Sequence, residues 1–303
     1  MLLHVLHIGK TGGTSLSNIL KSKKKEIEAS PFTVVRYQHD SNIRNIRTNS
    51  EEGKFIFFVR HPVSRFISGF HSRQRMGRPA YNIPWTSSEQ AAFEMFKDPE
   101  ALAAGLDSDD QATRTAAFLS MKVIEHVRDP MTFWLGSPKR LRRHAEEIFF
   151  IGAQETFNDD SAALLRKMGV DSGVPALSES EKHAAERKPF ALSERAAKNI
   201  ETWYSDDLEI YKWCMRNRER INTAGVSEMG KLHAAPKSAD NAKTIARRKK
   251  IIGAAKKAAK AAGQDWTKLT KEERKPFRVA AKTAIKSARK RQKAKRLAAL
   301  ANK

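Results

Sequence analysis

The chain has 303 residues and a formal net charge of +23, which is concentrated towards its carboxyl end. Residues 231–303 contain 24 Lys and Arg against 4 Asp and Glu, so this segment carries +20 and residues 1–230 carry only +3. The larger segment is long enough for one buried α/β core. Cys214 is the only cysteine, which excludes a disulfide within the chain.

No apolar run approaches the roughly 18 residues of a membrane helix, and no signal-peptide pattern is present. The single cysteine fits a reducing compartment. We therefore expect a soluble, cytoplasmic protein without a transmembrane segment.

Short apolar runs alternate with helical patterns along the chain. Residues 2–8 and 54–59 predict strong strands, residues 32–36 predict a weaker one, and residues 148–152 predict another. Helices are predicted over residues 14–25, 87–96, 109–127, 138–147, 158–168 and, as one or two helices, 193–217. Because the strands are separated by helices, we predict an α/β fold with a central parallel β-sheet flanked by helices.

The composition changes near residues 228–241, where aromatic residues decline and Ala, Lys and Arg take over. We predict a folded domain over residues 1–228, a linker over 229–242, and a Lys/Ala-rich tail over 243–303 that is helical or partly disordered. The tail's charge would attract a polyanion, either nucleic acid or an anionic glycan, by releasing counterions. The alternative is a solvated tail without a partner.

A glycine-rich segment follows the first predicted strand. Backbone N–H groups in such a turn, opening onto the positive end of a helix, form an anion site. The candidate ligands are Lys10, Thr11, Gly12, Gly13, Thr14 and Ser15. The segment predicts a phosphate site, although it lacks the Walker A pattern because His4 stands where the first glycine would be.

A second candidate phosphate site, Arg60 to Ser68, follows the strand predicted over residues 54–59. The Arg60 guanidinium can fork onto phosphate oxygens, and the Ser68 hydroxyl can complete the site. Arg65 is either structural or an indirect contact. Two separate phosphate sites predict a ligand that is phosphorylated at both ends.

Together, HIGKTGGTSL and FFVRHPVSRFISGF resemble the two cofactor motifs of sulfotransferases that use 3'-phosphoadenosine 5'-phosphosulfate (PAPS), particularly the carbohydrate-type members. The resemblance covers residues 1–213. It implies a P-loop-like sulfotransferase fold and sulfuryl transfer from PAPS to a hydroxyl acceptor, expected to be a carbohydrate. It also implies that residues 10–15 hold the 5'-phosphosulfate, and that Arg60 and Ser68 hold the 3'-phosphate. His61 stands where aspartate is usual, so we expect an altered loop there rather than lost binding.

In-line sulfuryl transfer needs a base on the acceptor hydroxyl and positive charge near the leaving phosphate. Lys10 is placed to stabilise the leaving group. His39 is the preferred base, because the resemblance implies a histidine between the two motifs. His61 and His126 are the alternatives, although His126 is expected to pack on its helix, and His39 itself could be a structural residue.

Other sequence features leave alternatives open. The histidines form no CxxC or HExxH pattern, so no metal is predicted. Residues 71–75 either face the acceptor or form a solvated helix end. Arg187 and Lys188 lie in a predicted long loop and either close over the nucleotide or stay at the surface. The competing functions are a kinase-like nucleotide enzyme and a polyanion-binding protein that acts through its tail.

Overall fold

The computed structural model describes residues 1–79, 81–170, 173, 190–224, 253–266, 269–270, 273–277, 279–281 and 283–284. The chain divides into two compact units, Met1–Met229 and Gly230–Lys303. Within the second unit, residues 253–261 and 273–277 are helical. The linker predicted over residues 229–242 lies outside the described residues, as do Arg187 and Lys188.

A four-stranded sheet forms the centre of the first unit. Its strands are β1 (Leu2–Val5), β2 (Thr33–Arg36), β3 (Lys54–Val59) and β4 (Ile148–Ala153). The strand order is β2-β1-β3-β4, and every neighbouring pair is parallel. The predicted parallel α/β fold is therefore confirmed. β3 and β4 are buried along almost their whole length, which explains their unbroken apolar sequences.

The described part of the first unit contains twelve α-helices. They are α1 (Gly13–Ser22), α2 (Lys24–Glu28), α3 (Ile43–Asn49), α4 (Pro62–Gln74), α5 (Ser87–Met95), α6 (Pro99–Gly105), α7 (Gln111–Val123), α8 (Met131–Leu135), α9 (Pro138–Arg143), α10 (Phe157–Lys167), α11 (Glu194–Trp203) and α12 (Ser205–Thr223). The sequence did not predict α3, α6 or α8, because a helix of five to seven residues has too few turns to show a helical period.

The helix predicted over residues 109–127 is shorter than expected. Asp110 caps its first turn by accepting a hydrogen bond from the backbone N–H of Thr113 at 2.8 Å, so α7 begins at Gln111. It ends at Val123 because Ile124 adopts an extended conformation. Residues 124–130 therefore form a loop, and His126 lies in this loop rather than on the predicted helix.

Both faces of the sheet are covered. On one face, α1, α2 and α10 enclose a core around Leu3, Ile56 and Phe150. On the other, α3, α8, α9 and α12 pack over Phe57 and Ile151. Because the strands are parallel, the carboxyl ends of β1 and β3 meet at one edge, where both predicted phosphate segments begin. Among the described residues, none of the helices is long and apolar enough to span a membrane.

Candidate active site

The glycine-rich segment forms a tight loop between β1 and α1. Lys10 and Gly12 have positive φ angles of 67° and 88°, and α1 begins directly afterwards at Gly13. A Cβ on Gly12 would lie 2.5 Å from Oε1 of Gln154, so the loop is closely packed as well as left-handed. Only glycine fits this position without strain.

Five of the six residues predicted in this loop line one cavity of about 470 Å³; they are Lys10, Gly12, Gly13, Thr14 and Ser15. Thr11 does not line it. The buried Thr11 hydroxyl donates to the carbonyl oxygen of Ile8 at 3.0 Å, so its side chain holds the turn. Thr11 was predicted to donate a hydrogen bond to the phosphate, and in this geometry only its backbone N–H can do so.

The second segment opens onto the same cavity. Arg60 follows β3, Ser68 lies on α4, and both line the cavity. Nη1 of Arg60 donates to the carbonyl oxygen of Lys10 at 3.3 Å, which ties the two segments together. The structure thus brings both predicted phosphate sites to one opening.

The buried side chain of Arg65 holds the glycine-rich loop in place. Its side chain is 2% exposed, and its Nε donates to the carbonyl oxygen of Gly9 at 2.9 Å. Its Nη2 donates to the carbonyl oxygen of Asp129 at 2.5 Å, and its Nη1 lies 3.9 Å from Oδ2 of the buried Asp207. The Asp207 carboxylate also accepts hydrogen bonds from the first two N–H groups of α8. Of the two roles predicted for Arg65, the structural one fits these contacts.

His61 lies outside the cavity. Its backbone N–H donates to Oε1 of Glu155 at 2.9 Å, its ring meets Tyr211 edge-on at 5.2 Å, and its Nε2 is 3.9 Å from the Glu201 carboxylate. The cavity lining does not include it. This geometry disfavours His61 as the base.

Three other histidines meet at the cavity wall. The rings of His7 and His39 stack with their centroids 3.7 Å apart, and the rings of His39 and His126 are 6.3 Å apart. Nε2 of His126 shares a hydrogen bond of 3.0 Å with the Tyr81 hydroxyl. His39 therefore lies at the centre of an imidazole cluster, with its backbone carbonyl held by Nε1 of Trp134 at 2.8 Å.

The surroundings of this cluster favour neutral imidazoles. Burial, and then the neighbouring His39, lower the pKa of His7 to about 4. Burial and the positive charge of Lys10 lower the pKa of His126 to about 3. Partial burial also lowers the pKa of His39, against a hydrogen bond to the His7 carbonyl that raises it. At pH 7 all three rings can accept a proton.

The end of α4 and the residues that follow it form part of the cavity wall. Ser72 and Arg75 line the cavity, and Nε of Arg75 donates to the carbonyl oxygen of Arg78 at 3.0 Å. Arg73 is instead buried and forms two hydrogen bonds of 2.7 Å with the Glu89 carboxylate. Within residues 71–75, Ser72 and Arg75 therefore face the cavity, whereas Arg73 forms a buried ion pair.

One group of potential metal ligands lies apart from the cavity. Ligand atoms of His144, Glu146 and Glu147 fall within 4.8 Å of one another before β4. Glu147 is paired with Arg47 and hydrogen-bonded to Nδ1 of His144, so two of these three side chains already contact each other or an arginine within the chain.

Comparison with known proteins agrees with this arrangement. The sequence profile of the sulfotransferase family matches residues 2–213. The chain belongs to the sulfotransferase family. No curated protein matches it significantly.

In this sulfotransferase the cavity contains residues that sequence reasoning missed. His7 precedes the glycine-rich loop, and its neighbours in sequence gave no sign that it would stack on His39. Gln154 reaches it from the end of β4, whereas His126, predicted as an alternative base, reaches it because α7 ends early. The one available signal for His7 was its position, two residues before Gly9 at the start of the glycine-rich loop.

Proposed function

We propose that this sulfotransferase uses PAPS as its sulfate donor and transfers the sulfuryl group to a carbohydrate hydroxyl. The supporting observation is the single cavity that the glycine-rich loop and the Arg60–Ser68 pair line together. A donor that carries a phosphosulfate at one end and a phosphate at the other needs two such anion sites. The cavity volume of about 470 Å³ lies within the usual range for small-molecule sites.

The loop is suited to an anion. α1 has ten residues, and among the described residues no side chain caps its N-terminus, so its dipole favours negative charge beside Gly12 and Gly13. The absence of side chains at these glycines lets an oxygen approach the backbone. Lys10 and Arg60 add cations to the same wall.

His39 fits the role of general base. The neutral His39 ring carries one N–H and one nitrogen that can accept a proton, and the His7 backbone carbonyl, which raises the pKa of the ring, favours the N–H on its side. The other nitrogen of the neutral ring is then left to accept the acceptor's hydroxyl proton. Stacking on His7 and the bond from Trp134 to the His39 carbonyl hold the residue in place.

PAPS would supply a sulfuryl group attached to a good leaving group. The residues of this chain would position it, remove a proton and balance charge. Lys10 is close enough to His39 for its charge to lower the pKa of that ring. The cation that would stabilise the leaving group therefore lies near the proposed base. This arrangement relies on positioning and electrostatics.

Binding of adenosine 3',5'-bisphosphate, measured by calorimetry and thermal shift, tests the donor assignment. Arg60→Ala should weaken binding by at least about tenfold, because it removes charged hydrogen bonds to phosphate. Arg36→Ala is the matched control, since Nη1 of Arg36 also donates to a backbone carbonyl, at 3.2 Å, outside the cavity. Tighter binding of ATP with magnesium would favour the kinase-like alternative.

Turnover with labelled PAPS tests the base. His39→Ala should retain bisphosphate affinity and lower kcat by about 100- to 10,000-fold, the usual contribution of a general base. Near-normal turnover would transfer the role to His126, the other histidine beside Lys10 in the cavity.

We also propose that the basic tail binds a polyanion, either nucleic acid or an anionic glycan. The support is its net charge of +20, which is large enough for strong, salt-dependent attraction.

A further inference from the structure

A second cavity, of about 290 Å³, lies beside the first. Three residues line both cavities, namely His39, Glu125 and His126. The proposed base therefore stands on the wall that the two cavities share. A group bound in the second cavity would reach His39 without entering the space assigned to the donor.

The two cavities differ in charge. The first is lined by Lys10, Arg60, Arg75 and Arg78 with one carboxylate, that of Glu125. The second is lined by three carboxylates, those of Asp40, Glu125 and Asp129, with one guanidinium, that of Arg128.

Local ion pairs leave this difference in place. Arg128 lies 3.8 Å from Asp129, and Glu125 lies 3.4 Å from the buried Arg73, while Asp40 accepts a hydrogen bond of 3.1 Å from the neutral Ser41 hydroxyl. The side chains of Glu125 and Asp129 are each 40% exposed, so their oxygens remain accessible. The second cavity consequently repels anions and offers hydrogen-bond acceptors.

An aromatic surface completes the second cavity. Phe133 is 44% exposed, and its ring packs edge-on against Trp134 with centroids 5.1 Å apart. Trp134 in turn donates to the His39 carbonyl oxygen, so the aromatic wall and the base are fixed to each other. An exposed ring beside hydrogen-bond acceptors suits a pyranose, which has an apolar C–H face and a hydroxyl rim.

We propose that the second cavity is the acceptor site, and that the acceptor is a sugar without acidic groups. Carboxylates accept hydrogen bonds from sugar hydroxyls and repel uronate or sulfate groups, while Phe133 packs on the apolar sugar face. This proposal rests on the proposed function, because it takes His39 as the base and the first cavity as the donor site. It adds that acceptors with uronate or sulfate groups are excluded by charge.

Three oligosaccharides of equal length test the acceptor class with labelled PAPS: tetramers of N-acetylglucosamine, glucosamine and galacturonic acid. At least one of the first two should be sulfated with a kcat/KM at least tenfold above that of the uronate. A uronate that is equal or better would overturn the proposal, as would transfer to none of the three. Bisphosphate binding, measured on the same sample, shows separately whether the donor assignment holds.

Two variants locate the acceptor. Phe133→Ala should raise the acceptor KM at least tenfold and leave the bisphosphate Kd unchanged. Phe118→Ala is the control, because Phe118 is also 44% exposed but lines neither cavity. Asp40→Lys should improve use of the uronate relative to the neutral tetramer, whereas Asp109→Lys, at an exposed site outside both cavities, should not. Equal effects of each variant and its control would place the acceptor elsewhere.

Discussion

Alanine at residue 13 should impair catalysis far more than it lowers stability. The new Cβ would lie 2.0 Å from Cδ2 of His7 and 2.6 Å from its Nε2, whereas ordinary contact begins near 3.4 Å. The His7 ring must therefore move by more than about 1 Å. Because that ring already stacks on His39 with centroids 3.7 Å apart, the displacement reaches the proposed base.

The expected magnitudes separate catalysis from folding. A misplacement of about 1 Å in a catalytic group can cost about 100-fold in rate, so kcat of Gly13→Ala should fall by that order. Gly13 is the first residue of α1, where alanine is preferred over glycine by up to about 1 kcal/mol, and this preference offsets part of the cost of moving the His7 ring, so Tm should fall only slightly. Gly12→Ala is the contrast, because its φ of 88° costs alanine about 1–2 kcal/mol and should lower Tm.

A double-mutant cycle identifies the route of the effect. Turnover with labelled PAPS and thermal unfolding would be measured for Gly13→Ala, His7→Ala and the double variant. If the alanine acts by displacing the His7 ring, it should add little to a chain that already lacks this ring. Strictly additive losses, or a kcat within threefold of the unmodified protein for Gly13→Ala, would refute the reasoning.

Two further predictions concern pH and salt. Partial burial lowers the pKa of His39 below 6.5, the ordinary value for histidine, so protonation should reduce kcat/KM only below pH 6.5. The test is a profile of kcat/KM from pH 4.5 to 9, and an acid limb centred above pH 6.5 would contradict the assignment of His39 as the base. Replacing Arg247, Arg248, Lys249 and Lys250 together by Gln should reduce the salt dependence of heparin or DNA binding. For DNA, the slope of log K against log salt concentration should become shallower by about 0.9 for each phosphate that the tail no longer neutralises. An unchanged slope would remove these residues from the polyanion site.

The sequence was most informative where function depends on the backbone. The loop after β1 and the Arg60 segment after β3 were each predicted from a motif that follows an apolar strand, and the parallel sheet brings the carboxyl ends of these strands to one edge. Contacts between distant segments could not be read in this way. The stack of His7 on His39 depends on how the loop after β2 folds back, and His126 depends on where α7 ends.

The hydroxyl of Thr11 shows the same limit on a smaller scale. Its residue type fits a phosphate ligand, yet the turn orients it towards the Ile8 carbonyl. The acidic lining of the second cavity could not be predicted from the sequence either, because Asp40 and Asp129 lie far apart in the sequence but line one cavity.

The contacts of Arg65 have a consequence for biosynthesis. This side chain joins Gly9, in the loop after β1, to Asp207 in α12, the last helix that the structure describes in this unit. Synthesis proceeds from the amino terminus, so Gly9 and Arg65 leave the ribosome long before Asp207 is added. A nascent chain that stops short of α12 would leave the buried Arg65 without the Asp207 carboxylate, so we expect the first loop to become fully fixed only when the domain is almost completely translated.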